Sequence, residues 1–368
     1  MKARYGSIAL GQEVMDQGLC TGCGLCVGMC PYIKSINERV AVIHPCGKED
    51  GNCYKICPKT LTDWVEMDNQ VFGGRRQDHI LGNYQKILFA RTRQAHVHEK
   101  GQYGGVATSL LSLAIEKGQV DAAVATGGPA GEIPKPTVAH SREEVLACGG
   151  SHYSASPSMG AVNQAVKEGA ARVAATGRPC QVLALRKMQA LDGDSSHNLA
   201  ANKVNFIVGL FCFWALDSAI YSFLSKQVGV KGILKVDILV DGIEITTSTG
   251  KIKIPVDKVR PYIRSTCQEC FDPTSEFADV SVGSTEYDPG WNTLIVRTKK
   301  GEEMVDMAVN EGIIETKAYP EERLPMLYTA VRNKKLRVLQ QKEQNTARYL
   351  QLDDEYKQGI IDQGVRRV

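Results

Sequence analysis

From about residue 86 onward, windows with a helical repeat of apolar residues alternate with short continuous apolar runs. KILFAR, beginning at Lys86, reads as a strand. GGVATSLLSLAIEKG follows, with Val106, Leu110, Leu113 and Ala114 spaced as one helix face. VDAAVATG is a short buried strand, MGAVNQAVKEG a helix, ARVAATG a strand and PCQVLALRKM a helix. Strands alternating with helices predict an α/β layer. After NFIVGLFCF the pattern turns more β-like. LVDGIEITTSTGKIKIPV alternates and is broken at Asp241-Gly242 and Ser248-Thr249-Gly250, which are hairpin signals. DVSVG and TLIVRT read as further strands and GEEMVDMAVNEG as a helix.

The first 66 or so residues lack this alternation and hold seven of the twelve cysteines. DNQVFGGRRQDHILGN (Asp68 to Asn83) is charged and glycine-bearing, and reads as a linker. The last 33 residues are charged and helical in pattern, as in a solvated surface or subunit-packing helix. The expected organisation is a head over 1–66, a linker over 67–85, a body over 86–335 and a tail over 336–368. A chain of 368 residues suits two or three domains.

Composition removes several classes of function. The chain is 43% hydrophobic and 23% charged, which is globular. A formal charge of +3, without Lys/Arg clusters interleaved with aromatics, argues against nucleic acid. The longest apolar run, VNFIVGLFCFWAL, is too short to span a bilayer, so no transmembrane segment is expected. MKARYGSIALGQEV lacks the apolar core of a signal peptide, so the expected location is the cytoplasm. In that reducing compartment twelve cysteines point to metal or cluster ligation and not to disulfides.

CTGCGLCVGMCPY carries the clearest chemistry. Cys20, Cys23, Cys26 and Cys30, the last followed by proline, have the gaps that wrap a 4Fe–4S cluster in bacterial-type ferredoxins, and this order disfavours zinc. In two-cluster ferredoxins the fourth cysteine of each run crosses to the other cluster. The first cluster is therefore expected on Cys20, Cys23, Cys26 and Cys57. The second run, HPCGKEDGNCYKICP, keeps the gap between Cys53 and Cys57, but Asp50 stands where a cysteine is expected and Cys46 lies one residue farther out. Cys30, Cys46, Asp50 and Cys53 are the candidate second set. Either Asp50 gives a carboxylate ligand, or the corner is empty and the cluster is 3Fe–4S, or another residue such as Cys148 completes it. The plain alternative is that Cys46 and Cys53 are structural thiols. His44 reads as a loop residue.

Cys267 and Cys270 form a Cys-x2-Cys pair that cannot complete a four-thiolate site alone. Cys180 opens a helix and Cys212 lies in the apolar NFIVGLFCF run, places that suit ligands presented at strand ends. A third cluster on Cys180, Cys212, Cys267 and Cys270 is the sharper reading, and four small buried hydrophobes the plainer one. Gly104 and Gly105 open a helix, and Gly177 repeats the arrangement, so bare N–H groups are presented to a phosphate or else simply make tight turns.

In order, GGVATSLL, VDAAVATG, TGRPCQVLAL, VGLFC, CQEC-FDPTSEFADVSVGS and GWNTLIVRTKKGEEM closely resemble the beta-subunit family of coenzyme F420-dependent hydrogenases and dehydrogenases, over about residues 86 to 335. The resemblance implies a ferredoxin-like domain followed by a mixed α/β flavin-binding domain, with FAD and a nearby 4Fe–4S cluster. It supports the Cys180, Cys212, Cys267 and Cys270 set. It also makes Gly104, Gly105, Val106, Ala107, Thr108, Thr176, Gly177, Arg178, Pro179 and Gln181 the expected FAD contacts. Asp279 and Gly283 match its pattern without an assignable role, and Cys148 matches no ligand position. His152 and Tyr153 are candidate neighbours of the flavin.

The expected function is an iron–sulfur flavoprotein subunit within a hetero-oligomer. FAD would exchange a hydride with a soluble carrier, coenzyme F420 first among them. Two to three iron–sulfur clusters would link it to a catalytic partner subunit or ferredoxin. Two alternatives stay open: a ferredoxin-dependent flavin reductase of another organic substrate, and a non-catalytic relay subunit of a hydrogenase, formate dehydrogenase or disulfide reductase complex. No acid–base catalytic residue is demanded by hydride transfer, and none is assigned.

Overall fold

The computed structural model describes residues 6–191, 200–228, 232–239, 241–285, 288–343 and 347–366. In the head, β1 (Ile33–Ile36) and β2 (Arg39–Val42) form an antiparallel hairpin turned by Asn37 at φ 52°. A short strand, β3 (Thr62–Asp63), closes the head. The body follows with β4 (Lys86–Thr92), β5 (Ala122–Gly127), β6 (Lys135–Ala139), β7 (Val173–Gly177), β8 (Val204–Leu210), β9 (Ile233–Leu239), β10 (Gly242–Thr247), β11 (Gly250–Pro255), β12 (Val280–Ser284), β13 (Asn292–Val296) and β14 (Ile314–Ala318), and β15 (Leu350–Gln351) lies in the tail.

Eight strands make one mixed sheet in the order β14-β4-β13-β12-β8-β7-β5-β6. Its centre, β12-β8-β7-β5, is parallel, and the flanking pairs are antiparallel. The central strands read as apolar runs because both faces are covered. Helices Val106–Glu116 and Lys299–Asn310 pack one face through Leu110, Leu113, Met304 and Val305. Gly160–Lys167 and Pro179–Gln189 cover the other through Val162, Ala165, Val182 and Leu185. The mixed α/β fold expected from the sequence is thus observed, with β6 and β14 as additions.

The hairpin signals at Asp241-Gly242 and Ser248-Thr249-Gly250 mark the turns of a separate three-stranded sheet, β11-β10-β9. This sheet stands over the loops that follow the strands' carboxyl ends: Lys235 Nζ donates to the Gly101 carbonyl at 2.7 Å and Gln102 Nε2 to that of Ile238 at 2.9 Å.

The stretch read as a linker is ordered and partly internal. Trp64–Phe72 is a helix capped by Asp63, whose carboxylate accepts from Val65 N and Glu66 N, and it ends at Gly73 with φ 73°. Asp68 and Arg76 are buried there as a bidentate pair at 2.6 and 2.7 Å. The tail is likewise not a solvated helix. Helix Leu324–Glu343, which begins in the body and buries Lys334 and Lys335 there, buries Val338 within the tail; β15 pairs in parallel with β3, and helix Asp354–Arg366 buries Tyr356 and Ile360. Residues that look polar locally are internal here because they meet one another and the body: Arg76 and Lys335 both reach Glu276, and Lys334 the Cys212 carbonyl.

Candidate redox centres

The head is fastened to the body at its cysteine loop. Gly24 has φ +86°, and a Cβ there would lie 2.1 Å from the Pro157 carbonyl oxygen, so only glycine fits. Asn163 Nδ2 donates to the carbonyls of Leu25 and Val27 at 2.7 and 2.8 Å. Arg264 donates to the Cys20 carbonyl at 2.8 Å and Thr266 Oγ1 to that of Leu19 at 2.6 Å.

Cys20, Cys23, Cys26 and Cys57 line one cavity, together with Cys53 and apolar walls that include Leu10, Val14, Leu25 and Ile56. All twelve cysteines are free thiols. Burial, reinforced by neighbouring thiolates, pushes Cys23 and Cys26 far up, and burial pushes Cys57 up to about 11. Such thiols stay protonated until a cation replaces the proton. Among the described residues no three His, Cys, Asp or Glu side chains converge as ligands of a single ion would. Four thiols arranged around a cavity fit a polynuclear cluster better than one metal ion.

Cys30, Cys46 and Cys53 form a second group. Cys53 is pushed up to about 11 by burial and then by the thiolates of Cys30 and Cys46. Cys46 accepts a hydrogen bond from Ser7 Oγ at 3.2 Å, which holds its thiol low. Asp50 is exposed and paired with Lys55 Nζ at 2.7 Å, so the structure groups three thiols and turns the candidate carboxylate to a lysine. Cys148 is elsewhere, against Gly127 and Thr137 at the end of β5. His44 is exposed and packs on the Tyr32 ring at 5.1 Å.

Cys180, Cys212, Cys267 and Cys270, from three distant segments, line a second cavity. Cys180 sits in the first turn of helix Pro179–Gln189, Cys212 two residues past β8, and the pair on the turn Ser265–Glu269 and its cap. Burial pushes Cys212 up to about 12, and raises Cys180 too, with Arg178 opposing in both. Thr21 walls both cavities, and its hydroxyl hydrogen-bonds the Cys180 sulfur. Cys23 and Cys180 lie close enough for each other's charge to act.

Cations surround these thiols. Arg178 lines the second cavity, and its Nη2 is buried without a partner. Lys334, on helix Leu324–Glu343, donates to the Cys212 carbonyl at 2.8 Å, and Lys59 lies over the Tyr349 ring at 4.3 Å. Tyr349 donates to the Glu269 carbonyl at 2.6 Å and receives Phe271 N at 3.3 Å. Lys59 has the Glu269 carboxylate at 3.9 Å, whereas among the described residues Arg178 and Lys334 have no carboxylate bonded to them, and buried cations of that kind call for an anion beside them. Sequence reasoning missed Thr21, Lys59, Lys334 and Tyr349. The last two fall in a segment with no local sign of burial.

Both glycine segments lie at the carboxyl edge of the sheet, after β4 and β7. Packing explains Gly104, where a Cβ would fall 2.6 Å from the Ala90 carbonyl oxygen and 2.7 Å from Asn292 Oδ1. Gly105, at φ +67°, caps the helix, and Val106 N donates to Asn292 Oδ1 at 3.3 Å. Ala107 and Thr108 remain half-buried. In the other segment Gln181 Oε1 accepts from Arg178 N at 2.9 Å and its Nε2 donates to the Ser156 carbonyl at 3.0 Å, while Gly177 and Pro179 are buried beside it. Thr176 Oγ1 is buried without a partner. With Arg178 Nη2 it leaves two orphaned polar groups on one turn, which suits a polar cofactor. Tyr153 accepts from Ile238 N at 3.0 Å, and burial holds the neighbouring His152 low.

The FDPTSEFADVSVG run is a structural knot. The Asp272 carboxylate accepts from Thr274 N and Glu276 N, both at 2.8 Å. Fully buried Glu276 pairs with Lys335 at 2.7 Å and with Arg76. Asp279 accepts from Ile207 N, Arg186 and Thr298 Oγ1, tying β8, a helix and β13's end together. A Cβ on Gly283 would lie 2.1 Å from the Phe211 ring.

Comparison with known proteins agrees with this arrangement. Residues 87–163 match the N-terminal part, and residues 170–322 the C-terminal part, of the family described as "Coenzyme F420 hydrogenase/dehydrogenase, beta subunit". Residues 13–32 match "4Fe-4S binding domain". Coenzyme F420 hydrogenase subunit beta of Methanosarcina barkeri is 34% identical over 253 residues, 67% of this chain and 86% of that one. The chain belongs to the coenzyme F420 hydrogenase/dehydrogenase beta-subunit family. It is also 30% identical over 317 residues to the coenzyme F420-dependent sulfite reductase of Methanocaldococcus jannaschii, covering 82% of this chain and 48% of that protein. A chain in the structure of the F420-reducing [NiFe] hydrogenase complex from Methanosarcina barkeri superposes with TM-score 0.67 and 31% identity, over 73% of this chain and 94% of that one. This beta-subunit-family chain is of oxidoreductase type, with a 4Fe–4S motif in its head. No helix among the described residues is long and apolar enough to cross a membrane.

Proposed function

We propose that this chain is a flavin-containing electron-transfer subunit working between coenzyme F420 and a one-electron partner. The observation that carries the reading is the buried cavity lined by Cys180, Cys212, Cys267 and Cys270, which shares Thr21 with the cavity of the head. Cys180, Cys212, Cys267 and Cys270 hold the inner cluster, and Cys20, Cys23, Cys26 and Cys57 a 4Fe–4S cluster of the head. Cys30, Cys46 and Cys53 hold a third. Thr176, Arg178 and the half-buried Ala107 and Thr108 are the FAD contacts best supported, at the carboxyl edge where α/β sheets bind ligands. Bound there, FAD would supply hydride exchange with F420 and single-electron exchange with the clusters. Lys59, Lys334 and Tyr349 exclude water from the inner site, and Arg178 offers its charge to both anionic cofactors.

The physiological partner is a catalytic protein or ferredoxin docking at the head, in the cytoplasm. The similarity to a sulfite reductase across 82% of the chain favours a second reading, in which the catalytic partner is not a hydrogenase. Anaerobically isolated protein should release FAD and contain iron and sulfide for two to three clusters. F420H2 should bleach the flavin band within seconds, whereas NADH and NADPH should not. Protein that carries iron but no flavin, or flavin untouched by F420H2, would overturn the proposal.

A further inference from the structure

Lys187, on helix Pro179–Gln189, crosses from the body into the head and is buried there. Its Nζ lies 2.8 Å from the Cys57 carbonyl, 3.2 Å from that of Thr60 and 3.3 Å from that of Leu61. It lies 3.0 Å from both Thr60 Oγ1 and Thr62 Oγ1. All five acceptors are neutral; burial pushes the ammonium down to about 8, and negative charge on the Cys57 sulfur would oppose that. A buried ammonium without a carboxylate is costly unless an anion stands beside it. The same helix carries Cys180 seven residues earlier, two turns away on nearly the same face and about 10 Å along the axis. One rigid rod therefore presents a thiol to the inner cavity and a cation to the backbone carbonyl of Cys57, whose side chain lines the head's cavity.

We propose that Lys187 is the charge partner of the cluster on Cys20, Cys23, Cys26 and Cys57, raising its reduction potential while fastening the head to the body. One-electron reduction adds one negative charge to a cluster, and a fixed cation in a low-dielectric wall stabilises that reduced form. The side chain touches no substrate, so its role is positioning and tuning. The inference rests on the assignment of a cluster to those four cysteines.

The test is an EPR-monitored redox titration of the full-length holoprotein, with the inner cluster as internal reference. Lys187→Gln, which keeps a hydrogen-bond donor and loses the charge, should move the head cluster's midpoint to more negative potential and leave the inner midpoint in place. Lys187→Arg should restore it. An unmoved head midpoint in Lys187→Gln, at full iron and sulfide content, would overturn the role of Lys187 while the cluster assignment stood. A wild-type head signal that survives Cys23→Ala would instead sink the cluster assignment. If Lys187→Gln fails to retain iron, Lys187→Arg alone still decides: a wild-type midpoint supports the charge role, and a midpoint shifted to more negative potential with the charge retained refutes it.

Discussion

Glu276→Gln removes one charge from a sealed group of ions. Glu276 and Lys335 are fully buried, and the Arg76 and Asp68 side chains are 2% and 1% exposed. Burial alone would raise the Glu276 carboxyl, but the Lys335 and Arg76 cations outweigh it and hold the group below its ordinary range. In the variant Arg76 keeps Asp68, whereas Lys335 keeps the His79 carbonyl at 2.9 Å and the face of the Phe271 ring at 4.8 Å but no bonded carboxylate. One positive charge is left uncompensated in the core, which costs about 3–5 kcal/mol. The segment concerned follows Cys270, so the assay is hydrogen exchange of the amides over 271–282 in anaerobic holoprotein, where the free energy of opening is read locally. It should fall by about that amount, and the inner cluster should be lost sooner to a chelator. Lys335→Met in the Glu276→Gln background should cost far less than the two single changes added together, because both charges leave. A loss under about 1 kcal/mol, or strict additivity, would refute the claim that the ions hold this segment.

Cys267→Ala should remove the iron of the inner site alone, read by iron and sulfide analysis and by loss of one EPR signal, while the head signals persist. Asp50→Cys should raise the iron content at the second head site towards that of a 4Fe–4S cluster, because three thiols and a lysine-paired carboxylate leave one corner without a thiolate; Mössbauer spectra identical to wild type would contradict this. Gly283→Ala drives a methyl group into the Phe211 ring and should lower thermal stability by about 1–3 kcal/mol, the usual cost of overpacking. Glu276 also sets an acid limit. Its folded-state pKa is lowered, so its contribution is present above about pH 4.3 and is lost as pH falls through the lower folded value. Denaturation scans should therefore show a steeper acid loss for wild type than for Glu276→Gln.

The sheet and its covering helices were legible because their apolar runs obey periodicity, as at Ala122–Gly127 and Val106–Glu116. The grouping of Cys180 and Cys212 with the Cys267–Cys270 pair was suggested by their places at strand and helix ends, and the structure brings all four to one cavity. Burial of charge was not legible. Asp68, Arg76, Lys334 and Lys335 sit in stretches with the composition of a linker and a surface helix, and no local pattern distinguishes an ion facing water from one facing another ion. The glycines misled in a different way. Gly104 is demanded by the approach of Ala90 and Asn292, residues far apart in sequence, so a run that looks like a phosphate loop is first a packing requirement.

A ferredoxin on a flexible tether would meet the body by diffusion, and its separation from the inner thiols would vary. Here the head is held to the body by direct contacts: Gly24 against Pro157, Asn163 on two carbonyls of the cysteine loop, Arg264 on Cys20 and Lys187 on Cys57. Helix Leu324–Glu343 and the tail complete the clamp. β15 pairs with β3, and Lys334 and Tyr349 enter the wall of the inner cavity, all beyond residue 322, where the family match ends. Electron exchange over a distance set by packing needs no docking step, so its rate within the chain should be independent of ionic strength. Exchange with an external partner at the exposed surface of the head should slow as salt screens the encounter. A salt-dependent internal rate, measured by flash reduction of the isolated chain, would show that the head detaches.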